Sequence, residues 1–153
     1  KAMGVPVEIS PDLLSISMED REMVAGALTV VLQGLRRRLA AIRENIANAD
    51  RARDAQGNLN PYQRKRLAIG AKGQLIESLD PSEFRKLYKP GHPDADEKGF
   101  VTLPNVHIEV EQADLKAATA EYGIVREALR QLAPNYVFPD PVQAPVPAAG
   151  ARP

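Results

Sequence analysis

The chain has 153 residues, enough for one domain or a small domain with long arms, and its 20 Lys/Arg balance 20 Asp/Glu. That balance gives no global attraction to nucleic acid or to an anionic membrane, and the lack of cysteine excludes disulfides and thiolate metal sites. No run approaches the ~20 apolar residues needed to cross a bilayer as a helix. Thirteen prolines and three phenylalanines without a tryptophan predict a thin core.

Residues 1–17 read as a leader whose first residues are compatible with a tag, and "KAMGVPVEIS" lacks the layout of a secretory signal. Met18 to Ala49 then reads as one helix. Val24, Leu28, Val31, Leu35, Leu39, Ile42 and Ile46 recur at about 3.67 residues per step, close to the helical period. Arg36, Arg37, Arg43 and Glu44 are expected on the opposite face. A rod about 45 Å long with one apolar stripe requires a partner helix. Its last turn carries Asn45 and Asn48. Asparagine amides both donate and accept, so they can bond the orphan carbonyls of a helix end and the amides of the next loop. Asparagine also tolerates the left-handed conformation that closes helices, and small Ala47 and Ala49 would admit a second backbone.

Residues 51–109 are expected to form a small β-rich lobe. "YQRKRLAIG" alternates, putting Lys65, Leu67 and Ile69 on one side, and "GQLIESLDP" and "GFVTLPNV" are short runs opened by glycine and stopped by proline. "KPGHPDADEKG" holds too many breakers for anything but an ordered loop. Near Val110 the helical pattern returns. Leu115, Ala118, Tyr122, Val125, Leu129 and Leu132 have coiled-coil spacing, and Pro134 stops the helix. The predicted architecture is α+β: helices at 18–50 and 110–133 pair as an antiparallel coiled coil, the lobe projects between them, and 134–153 form a proline-rich flexible tail.

Charge is uneven along the chain. Residues 36–66 hold nine Lys/Arg against three acids, and residues 77–121 hold five against ten. These regions can attract each other or the opposite region of a neighbouring copy. Candidate chemistry is sparse. Asp94, Asp96 and Gly99 fall on calcium-loop positions, but Lys98 stands where an oxygen ligand is needed and Asn105 where a bidentate carboxylate is needed. His92 and His107 lack metal-ligand spacing, and His92 between Gly91 and Pro93 suits a turn. The basic runs at 36–38 and 64–66 lack the interleaved aromatics of a nucleic-acid surface. No catalytic residue, metal, cofactor, nucleic acid or small-molecule substrate is implied.

Four stretches together carry a family resemblance. "NIANAD" after a long amphipathic helix resembles the signature of the flagellar axial proteins of bacterial rod and hook. "PYQRKR", "DPSEFRKLYKPGHPDADEKGFVTLPNV" (80–106) and "VEQADLKAATAEY" (110–122) are similar to the proximal-rod FlgC family within it, the last through Asp114, Leu115 and Tyr122. The likeness spans about residues 34–125. It implies a structural subunit of the basal-body rod, exported without a cleaved signal by the flagellar type III apparatus, crossing the periplasm and transmitting torque. Other rod subunits, basal-body proteins and copies of itself would be its partners. It assigns packing roles to Leu28, Val31, Leu35, Leu39, Ile42, Asn45, Ile46, Asn48, Leu115, Tyr122, Val125 and Leu129. It also marks Gly91, His92, Pro93, Asp94, Asp96, Gly99, Pro104 and Asn105 as the family's characteristic loop. Departures are Val31 in place of a small residue, Arg51, Ala52 and Arg53 in place of threonines, Val125 in place of asparagine, and the stop at Pro134. A coiled-coil scaffold module outside the flagellum, derived from a rod protein, is the alternative expectation.

Overall fold

A computed structural model describes residues 15–71 and 74–135; most of the leader and tail predictions lie outside these residues. Helix α1 spans Met18–Ala47 and opens on Ser17, whose hydroxyl accepts from the Asp20 amide at 3.1 Å. Glu19 and Asp20 in the first turn face the positive end of the helix dipole. Four strands follow: β1 (Lys65–Ile69), β2 (Leu75–Leu79), β3 (Arg85–Tyr88) and β4 (Phe100–Leu103). Helix α2 spans Ile108–Leu132 and ends just before Pro134, which lacks the amide a further turn would need.

The strands form two separate antiparallel hairpins. β1 pairs with β2 (Lys65 opposite Leu79, Ile69 opposite Leu75), and β3 pairs with β4 (Arg85 opposite Leu103, Tyr88 opposite Phe100). β1, β2 and β4 match the predicted runs. β3 was not foreseen, because "FRKLY" has neither alternation nor flanking glycine, and only its pairing with β4 makes it a strand.

The core lies between the helices. Leu32, Leu35, Leu39 and Ile42 of α1 pack against Ala118, Tyr122 and Leu129 of α2, with Leu28, Ile46, Leu115 and Val125 at the margin. This corrects the predicted stripe at two positions, where Ala25 stands in place of Val24 and Leu32 in place of Val31. Val31 is 48% exposed, whereas its neighbour Leu32 is fully buried. Substituting Leu32 for Val31 changes the spacing from Leu28 to Ile46 into strict alternation of four and three, the seam of a packed helix pair. A β-branched residue beside a leucine on the same flank misled the periodicity.

Candidate functional site: the junction between helices and lobe

Helix α1 ends at Asn48, whose φ of −108° is not left-handed; positive φ among the described residues is confined to Gly57 and Gly99. The helix is closed by the backbone amides of Asn48 and Ala49, which donate to carbonyls of the last turn, and by the Asn48 side chain. Asn48 Nδ2 donates to the Glu44 carbonyl at 2.8 Å, which also accepts from the Asn48 amide at 3.1 Å. Ala49 is buried as expected of a close-approach position, while Ala47 is exposed and admits no neighbour.

Asn45 turns the other way, into the lobe. Its Nδ2 donates to the Lys65 carbonyl (2.8 Å) and to Glu111 Oε1 (3.2 Å), and its Oδ1 accepts from the Lys65 amide (2.9 Å) and the Tyr62 hydroxyl (2.8 Å). The amide thus uses its full hydrogen-bonding capacity and holds both backbone groups of the first residue of β1, as a neighbouring strand would. Burial and the nearby carboxylates of Glu44 and Glu111 push the Tyr62 hydroxyl well above its ordinary pKa, so it remains a donor.

Glu111, 1% exposed in the first turn of α2, is the more deeply buried of the junction's two buried carboxylates. Its second oxygen accepts from Arg64 Nε, and Arg64 also reaches Asp80 (3.1 Å) and Asp114 (3.8 Å). Lys65 pairs with Glu44 at 2.7 Å and more distantly with Glu77. Glu44 is therefore buried toward β1, not on the solvated face expected for it. The basic 64–65 pair and the acids of 77–121 meet within one chain, the first of the two attractions the uneven charge allowed.

Asn105, also 1% exposed, repeats the device at the base of the first hairpin. Its Oδ1 accepts from the Arg64 amide (2.8 Å), and its Nδ2 donates to the carbonyls of Asp80 and Ser82 (both 3.0 Å). Arg85 of β3 completes the junction by donating to the carbonyls of Ala49 and Pro104. Pro104, Asn105 and Val106 are buried where β4 runs into α2.

The rest of the 89–105 loop folds by its own hydrogen bonds. His92 Nδ1 accepts from the Asp94 amide at 2.9 Å, a turn role, and Asp96 Oδ1 accepts from the amides of Lys98 and Phe100 (both 2.9 Å). Gly99 has φ +88°, and a Cβ there would stand 2.8 Å from the Tyr88 ring. Asp94 pairs with Arg53, one of the departures after "NAD", which ties this loop to the 51–60 turn. Gly91 and Pro93 are exposed. Among the described residues no three His, Asp or Glu side chains gather as a metal-binding cluster. Apart from the buried Asn48 Oδ1, which has no hydrogen-bond partner, the polar side chains described at the junction are engaged with one another or with backbone, so the arrangement fixes geometry between helices and lobe. Sequence reasoning singled out Asn45, Asn48 and Asn105 but missed Tyr62, Arg64, Arg85 and Glu111. Glu111 left a signal: it lies four residues before Leu115, a charged residue on the core seam of α2.

No family model matches the chain. Individual relatives do. It is 34% identical over 104 residues to the flagellar basal-body rod protein FlgC of Agrobacterium fabrum, covering 61% of this chain and 74% of that protein. FlgC of Escherichia coli is 32% identical over 120 residues, covering 71% and 84%, and FlgC of Bacillus subtilis 30% identical over 115 residues, covering 60% and 77%. This is an α+β chain of the flagellar basal-body rod class. Within that class it belongs to the FlgC family.

Proposed function

We propose that the chain is a structural subunit of a bacterial flagellar basal-body rod, working by packing and not by chemistry. Its membership of the FlgC family carries this reading. The ends of the molecule add support. The Asn45–Glu111 bond puts the end of α1 beside the start of α2, as an antiparallel coiled coil requires. The helix pair over 18–50 and 110–133 then forms the packing layer, and 51–109 the lobe that projects from it.

The assigned packing residues divide by accessibility. Leu35, Leu39, Ile42, Tyr122 and Leu129 hold the two helices of one copy together, and Val31 and the partly covered Leu28, Ile46, Leu115 and Val125 remain for contact with neighbours. Exposed Ile76, Leu79, Leu87 and Tyr88 give the lobe apolar surface of its own. Neighbours in this reading are other rod subunits, basal-body proteins and sister copies, reached through the type III export route without a cleaved signal in a rod crossing the periplasm. Deleting the gene in its host should abolish swimming, with the native gene restoring it and Ile46→Asp failing to. Normal swimming in the deletion strain would overturn the reading.

A further inference from the structure

Helix α1 has a second apolar face, turned away from α2. Met23, Gly26, Ala27, Val30 and Val31 lie on it, with Met23 67% and Val30 68% exposed. Positions 23, 27, 30 and 34 recur at four, three and four, one line along a helix. The β1–β2 hairpin covers only the later part of this line. Its end reaches Gly34, where a Cβ would lie 3.1 Å from Leu75 Cδ1. A groove of about 650 Å³ between α1 and this hairpin has its mouth at Val30, Val31, Gly34 and Leu75 and continues alongside β1, with Arg37 and Arg38 in its lining.

Charges bracket the uncovered stretch. Glu19 and Asp20 flank one end and Arg37 and Arg38 the other, all exposed and none in an ion pair among the described residues. The sequence is self-complementary about the point between Leu28 and Thr29. Laid antiparallel on a second copy, Met23 falls opposite Gly34, Ala27 opposite Val30, Asp20 opposite Arg37 and Glu19 opposite Arg38. Met23 meets Gly34 and the adjoining Leu75 side chain at the mouth of the groove, and each acid meets a base.

We propose that this face of α1 binds the same face of a second copy, antiparallel, forming a two-fold dimer with Met23 of each seated in the groove of the other. A two-fold contact uses the same patch on both partners and closes on itself, so it cannot propagate into a rod. The dimer is therefore a form of the free subunit that covers its apolar helix face and must open before that face can contact anything else. It stands independently of the rod reading, since it rests on the exposure and charge placement of this face of α1 alone.

The test is sedimentation equilibrium on the purified full-length protein at low and high salt. The expected result is a monomer–dimer equilibrium that weakens as salt screens the charge pairs. Glu19→Lys/Asp20→Lys and Arg37→Glu/Arg38→Glu should each weaken it at least about tenfold, because like charges then face each other at both ends, and mixing the two variants should restore it. The second variant lies away from the helix start, so it stays informative if the first frays α1; circular dichroism checks both. In the cysteine-free chain, Ala27→Cys should cross-link to its symmetry mate through a short bis-thiol reagent. Arg38→Cys should not, its mate lying about 28 Å away along the axis. A monomer at all concentrations, open-ended association, indifference to charge reversal, or equal cross-linking at both positions would overturn the proposal.

Discussion

The helix pair and the lobe are held by different forces. Between α1 and α2 the contacts are leucines, isoleucine, alanine and one tyrosine on two matched seams. In the lobe, little apolar surface is covered beyond Val101 and Val106, and the hairpins are fixed by amide and guanidinium groups bonded to backbone. A four- or five-residue hairpin cannot bury enough area to order itself. Side chains from the helix ends therefore supply the missing backbone partners. The helices position the lobe, and not the reverse.

Changes that distinguish the two regions should rank as follows. Glu111→Ala removes two hydrogen bonds to a buried carboxylate, from Arg64 and from the Asn45 amide, and at about 1.5–3 kcal/mol for each such bond should cost about 3–5 kcal/mol in urea unfolding. Glu111→Gln, which keeps the volume and one of the two acceptors, should cost less. Leu32→Ala or Leu39→Ala empties the helix seam and should cost about 2–5 kcal/mol. Val31→Ala, one residue away and half exposed, should cost under about 1 kcal/mol, and similar losses at 31 and 32 would refute the corrected seam. Asn105→Ala removes the acceptor of the Arg64 amide and the side-chain donor to the Asp80 and Ser82 carbonyls, of which Asp80 keeps Gln63, and should cost about 1–3 kcal/mol. Its amide-exchange signature should be confined to the first hairpin, sparing α1 and α2.

The pH response separates the regions with the smallest effect. Backbone donors, those of Asn58, Ser82 and Phe100 foremost, hold the carboxyls of Asp54, Asp80 and Asp96 below the ordinary 3.8. Groups so depressed stabilise the fold above 3.8, and that contribution disappears as pH falls through their lower folded values. Tyr62 behaves oppositely: its contribution is complete below the ordinary value of 10.0 and is lost only on further alkalisation. Amide resonances of Lys98 and Phe100 should hold their native positions through the usual aspartate range and shift only at lower pH. A transition centred near 3.8 would contradict these bonds.

Much of the helical layer was legible in the primary structure. Both helices, their lengths to within two residues, and the seam on α2 follow from local spacing, capping and the stop at Pro134. Three of the four strands also followed from alternation and breakers. Asn45 and Asn48 could be picked out because polar amides on a terminal turn have few local uses. The FlgC-like stretches could be read because they are contiguous.

What only the folded chain decided are the pairings between residues distant in sequence. Val31 and Leu32 are both apolar, and the crossing of α2 chooses between them. β3 is a strand because β4 supplies its partners. Arg64 reads as one of three basic residues in a row until α2 brings Glu111 beneath it, 47 positions away. Local pattern is set by steric and hydrogen-bonding rules acting within a turn or a strand, and so it is written in the order of residues. The partner of a buried charge depends on which surfaces meet, and that is fixed by how the two helix seams cross.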